Sequence, residues 1–381
     1  MGQHALLSAS SAHRWLKCTP APRLEEQFSD QTSVFAEEGT AAHDLAECKL
    51  KTFLGQNCKR PQSKYDSDEL DEYTDDYIDY AISLIAEAKG RCKDPVILIE
   101  QRLDFSNYVP KGFGTGDLVV VSDGVLDICD LKYGKGIAVS AVDNPQMKLY
   151  ALGALTLFNS LYDIKTVRMS ICQPRLENIS TYEVAPEELL TWAETELKER
   201  ANLAINGEGE FNAGDHCRFC KAKHKCRARA DSFLEAAKHD FKLPHLLDDD
   251  EIAEILTKAN SLASWAADVW AYATDTAINQ GKEWHGYKLV AGRSNRKYSD
   301  ETKVADTLKS AGHTDIYKHS LLGITEMERK IGKKIFQELL SGLIEKPQGK
   351  PTLVPDSDKR PAINTINTAE ADFKGETLCQ K

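Results

Sequence analysis

Asp117 closes the run Gly114-Thr115-Gly116-Asp117, and Asp130-Leu131-Lys132 follows at the far end of the next apolar stretch. Carboxylates in such a pair hold hard cations such as Mg²⁺ or Mn²⁺, which prefer oxygen ligands. A cation there activates water and neutralises charge developing on a phosphate. An ammonium beside it orients the nucleophile or stabilises the transition state. The candidate chemistry is therefore metal-assisted phosphodiester hydrolysis, with Asp117, Asp130 and Lys132 as its catalytic residues. Asp-x-Lys alone also fits a surface hairpin with ordinary ion pairs, so the elements around it decide its meaning.

Those elements read as a hairpin. Leu118-Val119-Val120-Val121 and Val125-Leu126-Asp127-Ile128-Cys129 are β-rich runs separated by Ser122-Asp123-Gly124, a strong turn signal. Asp117 starts one strand and Asp130 closes the other, so the turn brings both to the same edge of the sheet. Alternation puts Asp130 and Lys132 on one face. Val96–Ile99, Val167–Ile171 and Ile179–Val184 read as further strands. Helical spacing is predicted over 8–17, 35–54, 69–89, 144–160 and 186–205, with a loop over 56–68 and Pro186 in a first turn. This order implies an α/β fold, a mixed central sheet flanked by helices. Beyond it lie a long amphipathic helix over 249–279, a short strand at 286–291 and helices over 300–311 and 326–344. The expected domains are a core at 1–235, a mainly helical part at 236–346, and an extended or partly disordered tail at 347–381.

Other residues have types that suit a site. His43 sits early on a helix in Glu38-Gly39-Thr40-Ala41-Ala42-His43, with Glu47 one turn on. Glu100 ends the first strand. Gln146 and Tyr150 are spaced to share a helix face. Of the ten cysteines, Cys48, Cys58, Cys92, Cys129, Cys172 and Cys379 are scattered and read as buried small hydrophobes. Cys217, Cys220 and Cys226 form a C-x₂-C-x₅-C group that suggests a metal or cluster site. Three thiolates are one ligand short of a closed tetrahedron. Spacing leaves open zinc with His216 or His224, or a cluster completed by Cys18.

Taken in order, Gly39-Thr40-x-x-His43, Gly114-x-x-Asp117, Asp130-x-Lys132 and Gln146-x-x-x-Tyr150 resemble the RecB-type branch of the PD-(D/E)XK nuclease superfamily, over roughly residues 8–230. The resemblance implies a restriction-endonuclease-like core and a Mg²⁺- or Mn²⁺-dependent deoxyribonuclease acting as an exonuclease or end-processing enzyme. It implies His43, Asp117, Asp130 and the Leu131 carbonyl as metal ligands, with Glu100 assisting. Lys132 would be the catalytic lysine, and Gln146 and Tyr150 would position the DNA strand. The third motif more often carries Glu where this chain has Asp130. Some members bind a [4Fe–4S] cluster with one N-terminal cysteine and a later group of three, which here implies Cys18, Cys217, Cys220 and Cys226. The whole chain is also similar to a phage- and prophage-encoded family, through Arg293-Ser294-Asn295-Arg296-Lys297 and Lys346-Pro347-Gln348-Gly349-Lys350-Pro351-Thr352-Leu353. That likeness implies viral DNA processing or recombination beside a single-strand-binding or recombination protein. The competing expectations are a non-catalytic DNA-binding scaffold that keeps the fold and a zinc-stapled adaptor.

Charge narrows the choice. The net charge of −11 argues against coating nucleic acid by bulk attraction. Residues 282–360 nevertheless hold 16 Lys+Arg against 11 Asp+Glu, a local +5. With Arg293, Arg296, Lys297, and Lys330, Lys333 and Lys334 on one helix, this reads as a DNA-guiding surface or a solvated face. Trp265, Trp270 and Trp284 fit core packing better than base stacking. No run is long and apolar enough for a membrane helix and no secretory signal is evident, so the expected location is the cytoplasm, of a bacterial host if phage-encoded.

Overall fold

Between residues 96 and 184 the chain alternates β-branched runs with turns, and the amides of such runs are satisfied by pairing in a sheet. In the computed structural model, which describes residues 5–28, 34–237, 249–290, 301–310, 323–340 and 343–344, five strands do so. They are β1 (Val96–Asp104), β2 (Phe113–Ser122), β3 (Val125–Leu131), β4 (Thr166–Gln173) and β5 (Asn178–Val184), in that spatial order. Only β3 and β4 pair in parallel, so the sheet is mixed.

Ahead of the sheet come α1 (Ala12–Trp15), α2 (Ala21–Glu25), α3 (Val34–Phe53) and α4 (Asp68–Arg91). Helix α4 begins where the Ser67 hydroxyl accepts the Leu70 amide at 3.1 Å. Asp68, Glu69 and Asp71 fill its first turn and Lys89 and Arg91 its last, each sign matched to the helix dipole. The parallel β3–β4 pair needs a crossover, and α5 (Pro145–Phe158) supplies it. Asn144 caps α5 by accepting the Gln146 amide at 3.0 Å, and Pro145 fits the first turn, where no amide is needed.

Strands β2 and β3 read as unbroken apolar runs because both faces are covered. Val119, Val121, Leu126 and Ile128 pack in one cluster with Met147, Leu149 and Leu152 of α5. Leu118, Val120, Cys129 and Leu131 pack in another with Tyr77, Leu84 and Ile85 of α4. Burying each large aliphatic side chain contributes about 1.5–3 kcal/mol.

The helix expected over 186–205 runs as α6 (Pro186–Trp192), a π turn (Ala193–Leu197) and α7 (Lys198–Asn206), and ends at Gly207 with φ +73°. Helices α8 (Arg227–Ala237) and α9 (Asp249–Gln280) follow. Asp268 of α9 takes Arg229 at 2.8 Å and Lys223 at 2.7 Å, and Tyr272 stacks on His224 at 4.1 Å between centroids. Trp265 lies against Phe233 at 5.6 Å. These contacts carry the first compact unit through α9 to Lys282, past the boundary at 235 expected from sequence; a second unit begins at Glu283. Its described helices are α10 (Glu301–Ser310), α11 (Ile324–Ile331) and α12 (Lys333–Leu340). No helix among the described residues is long and apolar enough to cross a membrane.

Four sequence expectations need correction. The strand at 286–291 is absent over its described part, 286–290. Gly286 takes φ +81°, the Tyr287 amide closes a turn on the Trp284 carbonyl at 3.0 Å, and Leu289 and Val290 are exposed, with no strand beside them among the described residues. The single helix over 326–344 is two, because Gly332 at φ +84° breaks it. Lys330 therefore lies on a different helix from Lys333 and Lys334. Cys48 and Cys58 are not separate hydrophobes but a disulfide, their Cα atoms 5.5 Å apart and well placed for a bridge. Cys129 and Cys172 are buried core residues, as expected. Arg293, Arg296, Lys297, Cys379 and the tail from 345 lie outside the described residues.

Candidate metal centre

Asp117 and Asp130 meet because of strand register. Leu118 pairs with Cys129 in the β2–β3 hairpin, which sets the two aspartates side by side just beyond the pair. The Leu131 amide donates to Asp117 Oδ2 at 2.6 Å, so the carboxylate is locked to the neighbouring strand. Asp117 is 9% exposed and Asp130 2%.

Three further elements complete the site. From α3, His43 Nδ1 comes within 3.3 Å of Asp117 Oδ1. From β1 comes Glu100. Ile99 pairs with Leu118 and Gln101 with Gly116, leaving Glu100 unpaired opposite Asp117 with φ +48°. The register is the same on either side, so Glu100 and Asp117 face each other one to one, and Glu100 holds a left-handed conformation that is costly for a non-glycine residue. The donor atoms of His43, Glu100 and Asp117 all lie within 4.8 Å of one another. From α5, Gln146 Nε2 donates to Asp130 Oδ1 at 3.1 Å and lies 3.1 Å from the Tyr150 hydroxyl. Lys132 Nζ pairs with Asp130 Oδ2 at 2.7 Å. Every residue expected from sequence at this centre is thus brought to one end of the sheet. Glu47 lines the same cleft but is ion-paired to Lys51.

Gly114 has a steric reason. A β-carbon there would sit 2.7 Å from Tyr150 Cε1, so the Tyr150 ring can lie against β2 only if the strand is bare at that point. Two residues escaped sequence reasoning. Tyr77, one of a helical stripe of tyrosines and aliphatics on α4, lines the cleft beside His43, Glu100 and Asp117. Gln173, at the end of β4, is 2% exposed and binds the segment after Lys132 through the Gly134 and Ile137 carbonyls at 2.6 and 2.9 Å and the Val139 amide at 3.0 Å. Nothing in the local sequence marks either.

Electrostatics suit a cation. Burial opposes charge on His43, but the charge and hydrogen bond of Asp117 outweigh it and push the imidazole up to about 9. Burial, then the charge of Asp117, push Glu100 up to about 7. Burial also raises Asp130, against the pull of Lys132. Glu100, Asp130 and His43 are thus pushed toward their protonated forms, and a divalent ion can displace those protons.

A second donor set lies apart from this centre. Cys18, Cys217, Cys220 and Cys226 all line one cavity, with Arg14 and Arg229 at its walls. The N-terminal segment reaches it through Glu25, which is 6% exposed, pairs with Arg14 at 3.0 Å and accepts the Lys221 amide at 2.8 Å. Thr19 ties the same segment to the Glu208 carbonyl at 2.6 Å. Burial raises Cys18 and Cys217, and burial with the charge of Glu25 pushes Cys220 up to about 12. Thiolates in such surroundings need a cation to stabilise them, and the sulfur-only set fits an iron–sulfur cluster or Zn²⁺. His216 Nε2 lies 2.9 Å from the Asn212 carbonyl, and His224 is stacked on Tyr272.

The family model described as Protein of unknown function (DUF2800) matches residues 4–361. Among solved structures, one titled Crystal structure of SSO0001 is similar at 14% identity over 57% of this chain and 96% of that chain, with a TM-score of 0.23.

Proposed function

This chain belongs to the DUF2800 family, and we propose that its first unit is a Mg²⁺- or Mn²⁺-dependent deoxyribonuclease. The observation that carries this reading is the convergence of Asp117 and Asp130 with His43, Glu100 and Lys132 at one end of the sheet. Its ordered motifs resemble RecB-type nucleases, which favours DNA as substrate and an exonuclease or end-processing activity in phage DNA recombination or processing.

His43, Asp117, Asp130 and the Leu131 carbonyl hold the cation in this reading, with Glu100 as an auxiliary carboxylate. When bound, the cation supplies an activated water and a counter-charge for the phosphate. The chain's own groups do the rest. Lys132 is fixed by Asp130 at 2.7 Å and presents its ammonium to the nucleophile or the phosphate. Gln146 and Tyr150, joined at 3.1 Å, position the strand beside Asp130. Burial pushes the Tyr150 phenol up, so it is a neutral hydrogen bonder at working pH. The four cysteines hold a [4Fe–4S] cluster that clasps the N-terminal segment to the 212–226 loop.

The test is cleavage of end-labelled single- and double-stranded DNA by the purified protein with Mg²⁺ or Mn²⁺. Progressive shortening from an end is expected, abolished by chelation and slowed about 10²–10³-fold by Lys132→Ala. Intact DNA in every condition overturns the nuclease reading. DNA bound tightly but left intact would favour the scaffold instead.

The protons on His43 and Glu100 give the centre a pH signature. A metal takes the neutral imidazole, and His43 keeps its proton up to about 9. Rising pH removes the competing proton, so Mn²⁺ affinity should climb about tenfold per pH unit between about 7 and 9 and then level off. Glu100, holding its proton up to about 7, steepens the slope below that. Titration calorimetry in buffers of different ionisation enthalpy should show proton release on binding. A flat profile with no released proton would remove His43 from the ligand set.

A further inference from the structure

Tyr77 is 2% exposed, and its phenol oxygen is buried without a hydrogen-bond partner among the described residues. Such a donor costs stability, and native structures rarely keep one without a use. The ring cannot easily turn away, because it packs with Ala46, Leu50 and Leu131. Tyr77 also lines the cleft bounded by His43, Glu100 and Asp117, so the residue that carries the unpaired hydroxyl is part of the wall of the candidate metal centre.

A divalent cation of the Mg²⁺ type keeps several waters, since it dehydrates reluctantly. Those waters need acceptors and donors around them, and such outer partners orient the ligands and tune affinity. His43 and the carboxylates line other parts of the cleft. The Tyr77 hydroxyl supplies a neutral donor and acceptor at a wall that is otherwise apolar, with Ala46, Leu50, Ile99 and Leu131 around it. We infer that Tyr77 is a positioning residue of the metal centre, its hydroxyl hydrogen-bonding a water in the bound cation's hydration shell. This rests on the reading of the cleft as a metal site.

Tyr77→Phe keeps the ring and removes only the hydroxyl. Two measurements on the full chain test it: Mn²⁺ affinity, from the electron paramagnetic resonance signal of free Mn²⁺, and the thermal midpoint in EDTA. Mn²⁺ should bind about tenfold more weakly to the variant. The midpoint in EDTA should equal or exceed that of the wild type, because an unpaired buried hydroxyl has gone. Equal Mn²⁺ affinity overturns the inference. So does weaker binding accompanied by a lower midpoint in EDTA, which assigns the hydroxyl to folding. A wild type that binds no Mn²⁺ removes the metal site itself and the role of Tyr77 with it. A wild type that binds while Tyr77→Phe binds as tightly removes the role of Tyr77 alone.

Discussion

Asp130→Asn should yield a folded protein whose metal-dependent cleavage of DNA is at least about a thousandfold slower than that of the wild type. The expectation follows from the position of this carboxylate. It is 2% exposed, with Oδ1 held by Gln146 at 3.1 Å and Oδ2 by Lys132 at 2.7 Å. Burial already favours its neutral form, so the neutral isostere suits the packing. Asn keeps an oxygen for Gln146. Lys132 loses its counter-ion but is 28% exposed and can turn to water. The thermal midpoint in EDTA should therefore stay within a few degrees of the wild type. Charge is what the substitution removes, and charge is what a cation and a fixed ammonium require. Initial rates on labelled DNA, read beside the melting curve, check both halves. A folded Asp130→Asn protein that cleaves within tenfold of the wild type would place the chemistry elsewhere.

Cys18→Ser should bleach the protein and loosen its N-terminus. Prepared without oxygen, the wild type is expected to be brown, with iron and acid-labile sulfide in equal amounts. Binding energy at a site assembled only on folding is folding energy. Losing one ligand of four should cost several kcal/mol, which at about 2–4 °C per kcal/mol lowers the thermal midpoint by roughly 10 °C. The loss should concentrate in residues 5–28, whose ties to the rest include Glu25 with the Lys221 amide and Thr19 with the Glu208 carbonyl. Limited proteolysis should cut there first. A colourless wild type carrying stoichiometric zinc would replace the cluster with a zinc site. A Cys18→Ser protein with full iron would free Cys18 from the ligand set.

Much of the centre was legible in the residues, and the reasons are local. The Asp-Gly turn fixed the hairpin register, and register alone sets Asp117 beside Asp130. Helical spacing joined Gln146 to Tyr150. His43 had no such warrant: its nearness to Asp117 depends on how α3 packs, and only the ordered motifs pointed to it. The left-handed backbone at Glu100 was invisible, because nothing in an apolar strand run marks the one residue that leaves extended geometry. Gly39 of the first motif has open space around its Cα, so packing gives no reason for glycine there. The Cys48–Cys58 bridge was missed because the distance between two cysteines depends on the turn after α3. The strand expected at 286–291 failed over its described part for the complementary reason. Its apolar alternation is genuine, but a strand needs a neighbour, and a run of side chains cannot show whether one exists.

The sheet's connectivity also bears on the order in which the centre can form during folding. The Leu131 amide and Asp117 are 14 residues apart in sequence, and Gln146 and Asp130 are 16 apart. Chain closures this short are fast, so the hairpin, its crossover helix and most of the chemistry can assemble as one local nucleus. The clasp at the other cavity spans 196 residues from Glu25 to Lys221 and 189 from Thr19 to Glu208. Closing loops of that length costs more entropy and comes later. A chain emerging from the ribosome would thus carry an almost complete carboxylate–lysine centre before residues 217–226 exist to secure its N-terminus. On the proposed reading, filling the cysteine site is then the last step of maturation, securing the N-terminal segment to a centre that is already built.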